Sequence, residues 1–300
     1  MPHNLMRHLV TASLALCAAV AAHAAPWLPE AGPASIDGAA GGGLTPWAMP
    51  LKEDDPLAPG ARALARSTRT FDYQLALRGG AVQLTPRLEL SLARQVFDTR
   101  GSLASLGLAD ERLRQDIGGL KWRVAGPDRS EETTSGSWLA VGLLRKRIAA
   151  GALQPVLEDR LGARCQGFEF YVTGTRYWAD EGLALNATLR ATRANQNGLL
   201  GFGGSHGAGT RFAPELSVAW RAAPRLTLGM EARAKPDNLN HSVLGTGALR
   251  EDGWFDAWAS WSPRADVALN LSWLDLGRIA PGLQPRRQTG SLLTLQLSYR

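Results

Sequence analysis

Cysteine, lysine and long apolar runs are scarce in this chain, and each scarcity narrows what it can be. The two cysteines are Cys17 and Cys165. Cys17 lies in an apolar N-terminal run. If that run leaves as an export signal, Cys165 is the only thiol and no intramolecular disulfide can form, so stability must come from burial and backbone hydrogen bonding. Lysine occurs only at Lys52, Lys121, Lys146 and Lys235. The positive charge is therefore almost wholly arginine and is dispersed, not clustered as in a nucleic-acid domain, so no nucleic-acid partner is expected. No run after the N-terminus approaches the ~20 apolar residues of a membrane helix, which excludes a helical membrane protein.

What is present begins with an export signal. Arg7 and His8 close a short positive region, an apolar run follows over 9–22, and the small-residue triplet Ala22-His23-Ala24 completes the tripartite pattern. Cleavage is expected after Ala24, because one residue later would leave Pro26 immediately behind the cut. Leu16 is too large to precede a lipidated cysteine, so Cys17 reads as part of the apolar run. The signal is thus 1–24 and the mature chain 25–300 a single domain, with Arg7 lost and the net charge reduced from +6 to +5.

The dominant pattern is period-two alternation, the mark of strands with one apolar and one polar face. Leu226, Leu228, Met230, Ala232 and Ala234 alternate with Thr227, Gly229, Glu231, Arg233 and Lys235, and Leu293, Leu295, Leu297 and Tyr299 alternate with Thr294, Gln296 and Ser298. The pattern recurs over 71–82, 87–97, 116–124, 137–145, 167–177, 183–192, 212–221, 253–262 and 267–276, eleven segments in all. Each is near the ~9–11 residues of a tilted spanning strand. The glycine-rich stretch 34–47 is the candidate twelfth.

The connections alternate between short and long. Thr85-Pro86-Arg87, Ala223-Pro224-Arg225, Ser262-Pro263-Arg264 and 179–182 read as tight turns. Long polar or glycine-rich stretches cover 98–115, 146–166, 193–211, 236–252 and 277–290, and 125–136 is longer than a short turn should be. A barrel with short periplasmic turns and long external loops has this alternation. Counting back from a periplasmic Tyr299, a strand over 34–47 rising from the periplasm completes an even number. The expected fold is an all-β antiparallel transmembrane β-barrel of about twelve strands with both termini periplasmic, in the outer membrane. A soluble β-sandwich is the fold alternative, since its strands alternate in the same way.

Tyr177, Trp178, Trp220 and Trp261 stand just before short turns, where an interfacial aromatic girdle belongs. Helix-like patches at 109–114 and 155–161 lie within long loops and either narrow a pore or cap it. Polar faces carry Asp72, Gln74, Arg78, Glu89, Ser91, Lys121, Arg123, Asn186, Thr188, Arg190, Glu215, Ser217, Glu231, Arg233, Lys235, Asn270 and Ser272. Mixed charge of this kind lines a water-filled channel or pairs across a closed interior. Arg190, Arg193, Lys235 and Arg278, with Asn195, Asp237 and Asn238 nearby, fall at external strand ends, where guanidinium groups attract anionic solutes or lipopolysaccharide phosphates.

Candidate chemistry is thin. His241-Ser242 and Ser205-His206 are the only histidine–serine neighbours, and adjacent residues on a strand point to opposite faces. The 201–207 loop lacks the Lys-Ser/Thr ending of a phosphate-binding loop. No metal-ligand spacing relates His206, His241 and Cys165, and no cofactor is expected.

Several strings resemble a known family. They are Gly38-Ala39-Ala40-Gly41-Gly42-Gly43-Leu44-Thr45-Pro46-Trp47-Ala48, then Arg190-Ala191-Thr192-Arg193-Ala194-Asn195-Gln196 running on to 198–204, and finally Lys235-Pro236-Asp237-Asn238-Leu239 and Asp275-Leu276-Gly277-Arg278-Ile279-Ala280. Together they resemble the DUF3034 family of uncharacterised proteobacterial exported proteins, across nearly the whole mature chain. The resemblance implies an outer-membrane location and brings no assigned activity. The chain departs from the family over 51–69, which is proline- and charge-rich, and in its final Arg300. The leading expectation is a small passive-diffusion channel for polar or anionic solutes. The alternatives are a non-conducting structural or lipopolysaccharide-contacting barrel and an outer-membrane lipid-modifying enzyme. Expected partners are outer-membrane lipid, lipopolysaccharide and a small polar solute.

Overall fold

The computed structural model describes residues 32–51, 60–104, 107–108, 111–127, 135–205 and 209–299. Twelve strands close into one antiparallel barrel: β1 (Ala61–Thr70), β2 (Gln74–Thr85), β3 (Leu88–Asp98), β4 (Arg112–Ala125), β5 (Gly136–Ala149), β6 (Gln166–Trp178), β7 (Leu183–Thr192), β8 (Arg211–Ala223), β9 (Leu226–Arg233), β12 (Trp254–Arg264), β13 (Val267–Asp275) and β14 (Thr289–Tyr299). Strands β10 (His241–Ser242) and β11 (Gly245–Thr246) form a separate small hairpin in the loop between β9 and β12. Each barrel strand pairs with its chain neighbour, and β14 returns to β1 in register from Ala61 opposite Tyr299 to Thr70 opposite Gly290. Closure leaves no sheet edge unpaired, which a hydrocarbon environment requires.

All eleven alternating segments are strands, β7 with the expected bounds. The twelfth is not where the alternation suggested. Residues 34–47 form no strand, only an isolated bridge between Gly41 and Pro46. They lie inside the barrel. The closing strand is Ala61–Thr70, within the stretch set aside for its proline and charge. Its outward face is Ala61, Ala63, Ala65, Ser67 and Arg69 and its inward face Arg62, Leu64, Arg66, Thr68 and Thr70, so the apolar contrast that marks the other strands is nearly absent.

Three further expectations are corrected. Strand β12 runs through Pro263 to Arg264 with a register shift after Trp261, so the turn is at 265–266 and Pro263 sits in a bulge, where the ladder needs no donor from it. The patch expected to be helical over 109–114 becomes strand from Arg112, and residues 109–110 lie outside the described residues. Tyr177 points into the barrel, fully buried, and is not a girdle residue. The other patch is helical: a π-turn over Val156–Arg160 buries Leu157.

The wall is inverted relative to a soluble protein. Outward positions carry large exposed apolar side chains on nearly every strand. Trp122, Trp220, Trp261 and Tyr299 stand toward the short-turn end, and Phe168, Phe170, Phe212 and Trp273 toward the long-loop end. Two aromatic belts flanking an aliphatic band are the pattern of a lipid-facing barrel surface. Trp178 faces out half-buried, with the Arg176 guanidinium 5.4 Å from its ring centroid. At the long-loop end, connections fold inward: Leu103, Leu153, Leu157, Leu161, Leu199, Leu239, Leu249 and Ile279 pack with Tyr73, Leu75, Phe97, Leu113 and Trp254 of the wall rim into one apolar cluster.

Candidate functional site: an occupied barrel lumen

The lumen is filled by the chain's own N-terminal segment. Every residue from 32 to 51 is buried. Ala34, Ile36 and Leu44 belong to the apolar cluster at the long-loop end. Leu51, by contrast, donates its N–H to Gln83 Oε1 (3.3 Å) near the short-turn end of β2. The segment therefore descends through the barrel before β1 begins.

With little secondary structure of its own, the plug leaves its backbone groups to the wall. Ala40 N–H donates to Glu89 (3.0 Å), Leu44 N–H to Glu231 (2.6 Å) and Ala48 N–H to Thr175 Oγ1 (2.8 Å). In the other direction Gln95 donates to Ile36 O (2.7 Å), Lys121 Nζ to Trp47 O (3.0 Å) and Asn186 Nδ2 to Pro46 O (3.1 Å). Arg66 binds three plug carbonyls, Pro33 O at 2.5 Å, Ala34 O at 2.7 Å and Gly43 O at 3.1 Å. Below them Trp47, 1 % exposed, donates its indole N–H to Ser217 Oγ (2.8 Å) and packs 6.4 Å from the Trp258 ring.

The glycine run in the plug has a steric reason. A Cβ on Gly42 would lie 2.0 Å from Glu231 Oε1, and one on Gly43 2.4 Å from Asp256 Oδ2. Only glycine lets the plug backbone come this close to Glu231, which holds it, and to the neighbouring Asp256.

At the centre, three buried cations meet three buried acids. Lys146 Nζ lies 2.7 Å from Asp37 and 2.5 Å from Glu169. Arg190 makes a two-point contact with Glu215 (2.6 and 3.3 Å) and reaches Asp37 at 3.2 Å. Arg233 pairs with Glu215 at 3.2 Å and approaches Asp37 at 3.6 Å. Asp37 is the plug's contribution, and it alone touches all three cations. Opposite charges this near compensate one another for the loss of water around each. Asn197, from the loop after β7, caps the group by accepting from Lys146 (2.8 Å) and Arg233 (2.9 Å). Wall, plug and loop therefore share one polar network.

The residues singled out from the sequence separate into three places. Arg190 and Arg233 are in the central network, and Glu231 anchors the plug at Leu44 and Thr45. Lys235 lies at the mouth, its Nζ 3.4 Å from Glu251 and 4.0 Å from the Trp254 ring centroid. Burial lowers the Lys235 pKa to about 8 and raises that of Glu251 to about 7. Asp237 accepts from Glu251 N–H (3.3 Å), and Asn238 is buried beside it. Arg193 is exposed, and Arg278 pairs with Asp252 at 2.8 Å on the loop surface, where that hydrogen bond brings the Asp252 pKa down to about 2. Of these, Arg193 is exposed and Arg278 half-buried, and the others lie in the filled interior or under the loops.

Sequence reasoning missed Asp37, Lys146, Glu169, Arg66 and Asp256. Lys146 was placed at the start of a loop and Glu169 stands at an inward position of an expected strand, so strand parity alone finds the second. Nothing in the alternation marks Asp37. Of the histidine–serine neighbours, His206 lies outside the described residues, and the ring contact of His241 is the Thr246 hydroxyl at 3.5 Å.

A profile of the family described as "Protein of unknown function (DUF3034)" matches residues 30–296. No curated protein matches the sequence. Among solved structures, the NanC porin superposes with a TM-score of 0.50 at 9% identity, covering 80% of this chain and 99% of the porin. The COG4313 outer membrane channel from Pseudomonas putida F1 gives a TM-score of 0.44 at 12% identity, over 84% of this chain and 96% of that one. The outer membrane phospholipase of Salmonella typhi gives 0.44 at 11% identity, over 82% and 94%. At 9% identity the likeness to the porin is one of fold, that of an outer-membrane barrel.

Proposed function

The chain belongs to the DUF3034 family, which carries no assigned function, and we propose that it is an outer-membrane barrel holding a polar pore shut at rest with its own N-terminal segment. The observation that carries this reading is the complete burial of residues 32–51 within the barrel, bound to the wall through both backbone and side chains. In the orientation proposed, residues 1–24 are a cleaved export signal, the short turns and Tyr299 face the periplasm and the long loops face outward.

The lining that the plug covers suits small polar solutes. Among the described wall residues facing the lumen, seven cations (Arg62, Arg66, Lys121, Arg123, Lys146, Arg190, Arg233) stand against five acids (Glu89, Glu169, Glu215, Glu231, Asp256). With Asp37 withdrawn, that excess favours anions weakly.

Planar-bilayer recording of the full mature chain tests the proposal. The wild type is expected to be silent, and the Asp37→Asn variant to show discrete conductance steps. A wild type with a steady open pore overturns closure by the plug. A folded variant as silent as the wild type instead supports a non-conducting structural barrel.

A further inference from the structure

The outer wall of β2 to β5 departs from the apolar belt. Arg78 stands opposite Arg94, Arg94 opposite Asp116, and Asp116 opposite Arg147, so these four form one lateral row across four strands. Arg145 lies two residues below Arg147 on β5 and Arg114 two residues above Asp116 on β4, all on the outward, exposed face. Five cations thus share one acid. Asp116 is committed to Arg94, with contacts of 2.6 and 3.2 Å. Arg78, Arg114, Arg145 and Arg147 have no acidic partner among the described residues. Elsewhere the long-loop end of the wall carries aromatic residues such as Phe168, Phe212 and Trp273.

Unpaired guanidinium groups on a lipid-facing wall are unfavourable unless they meet an anion at the membrane interface, and two like charges set directly opposite one another repel. The row therefore calls for an external negative partner. Beneath these side chains the wall recedes into a cleft of about 940 Å³, opened in part by Gly118, where a Cβ would meet only Leu92 Cδ2 at 3.8 Å, and its lower flank is Val82, Leu90 and Leu92. The site is amphipathic in the direction of the membrane normal, cationic above and apolar below. The row crosses three inter-strand spacings of ~4.8 Å, roughly 14 Å, wider than one phosphate group.

We infer that this face binds a multiply phosphorylated glycolipid of the outer leaflet, lipid A, with phosphates along the arginine row and an acyl chain in the cleft. Bidentate guanidinium–phosphate pairing supplies the recognition. The inference rests on the orientation proposed above, long loops outward, and is otherwise independent of the plug.

The test uses the full mature chain, folded in detergent and checked by heat-modifiable migration, with binding of fluorescent bis-phosphorylated lipid A, its dephosphorylated counterpart and phosphatidylglycerol measured side by side. Replacing Arg145 and Arg147 together by serine should weaken lipid A binding at least ~tenfold, as should Arg78→Ser with Arg94→Ser, about what losing one or two charge-assisted contacts costs. Arg176→Ser with Arg264→Ser removes the same charge near the short turns and should leave affinity unchanged. Equal affinity of the patch variants and the wild type, equal weakening by the control pair, or equally tight binding of the dephosphorylated lipid or of phosphatidylglycerol would overturn the inference. Bilayer conductance reports on the plug and not on this face, so failure of one reading leaves the other standing.

Discussion

Asp37→Asn is the substitution on which closure of the barrel turns. The carboxylate lies 2.7, 3.2 and 3.6 Å from Lys146, Arg190 and Arg233 and is 2 % exposed. An asparagine fits the same space but leaves three buried cations facing only Glu169 and Glu215. Removing one member of a buried charge network costs ~3–5 kcal/mol. That cost falls on the plugged state, since withdrawing the plug admits water to the three cations. The closed-to-open ratio should therefore drop by roughly two to three and a half powers of ten, at ~1.4 kcal/mol per tenfold.

Two measurements read this shift. In planar bilayers the variant should conduct where the wild type does not. In a Cys165→Ser background, Ala219→Cys places a thiol on the inward face of β8, packed with Trp47. It should resist a membrane-impermeant thiol reagent when Asp37 is present and label readily when it is replaced. A folded variant that stays silent and shielded would refute the argument that Asp37 locks the plug.

Three further outcomes are expected. Gly42→Val forces a side chain into Glu231, and should open the pore while leaving heat-modifiable migration intact. Because burial lifts Glu251 to a pKa of about 7, the closed loop cap holds a proton that an open one releases. Cap stability, followed by hydrogen exchange of the 234–253 loop, should then decline as pH rises from ~4.3 toward 7, and Glu251→Gln should flatten that decline; a flat wild-type profile would contradict it. Burial, and next the neighbouring Glu158, push the Cys165 thiol up to about 11, so alkylation should be slow at neutral pH and accelerate steadily toward pH 11, and rapid labelling at pH 7 would contradict the assigned environment.

The barrel itself was legible in the sequence because lipid outside and polar groups inside impose a period of two on every spanning strand, and short and long connections sort the two ends. Leu226 through Arg233 show that face-by-face contrast plainly. Ala61–Thr70 does not, since alanine and serine meet the lipid there, and its role as the closing strand became visible only through its pairing with β14 and β2. The polar inward faces were legible on most strands, so Arg190, Glu231 and Arg233 were found, but Gln74 and Arg78, expected on the same lining, face outward on β2, where Leu75 and Leu77 point inward. What fills the space between the inward faces was not legible. A plug bound by backbone amides and carbonyls leaves no periodic trace, and its glycines read as a weak strand when their purpose is close approach to Glu231 and Asp256. Local alternation records which face of a strand meets lipid; whether the opposite face meets water, a partner charge or another part of the chain depends on contacts between residues more than a hundred positions apart, such as Asp37 with Lys146 and Arg190, and only the closed tertiary structure brings those together.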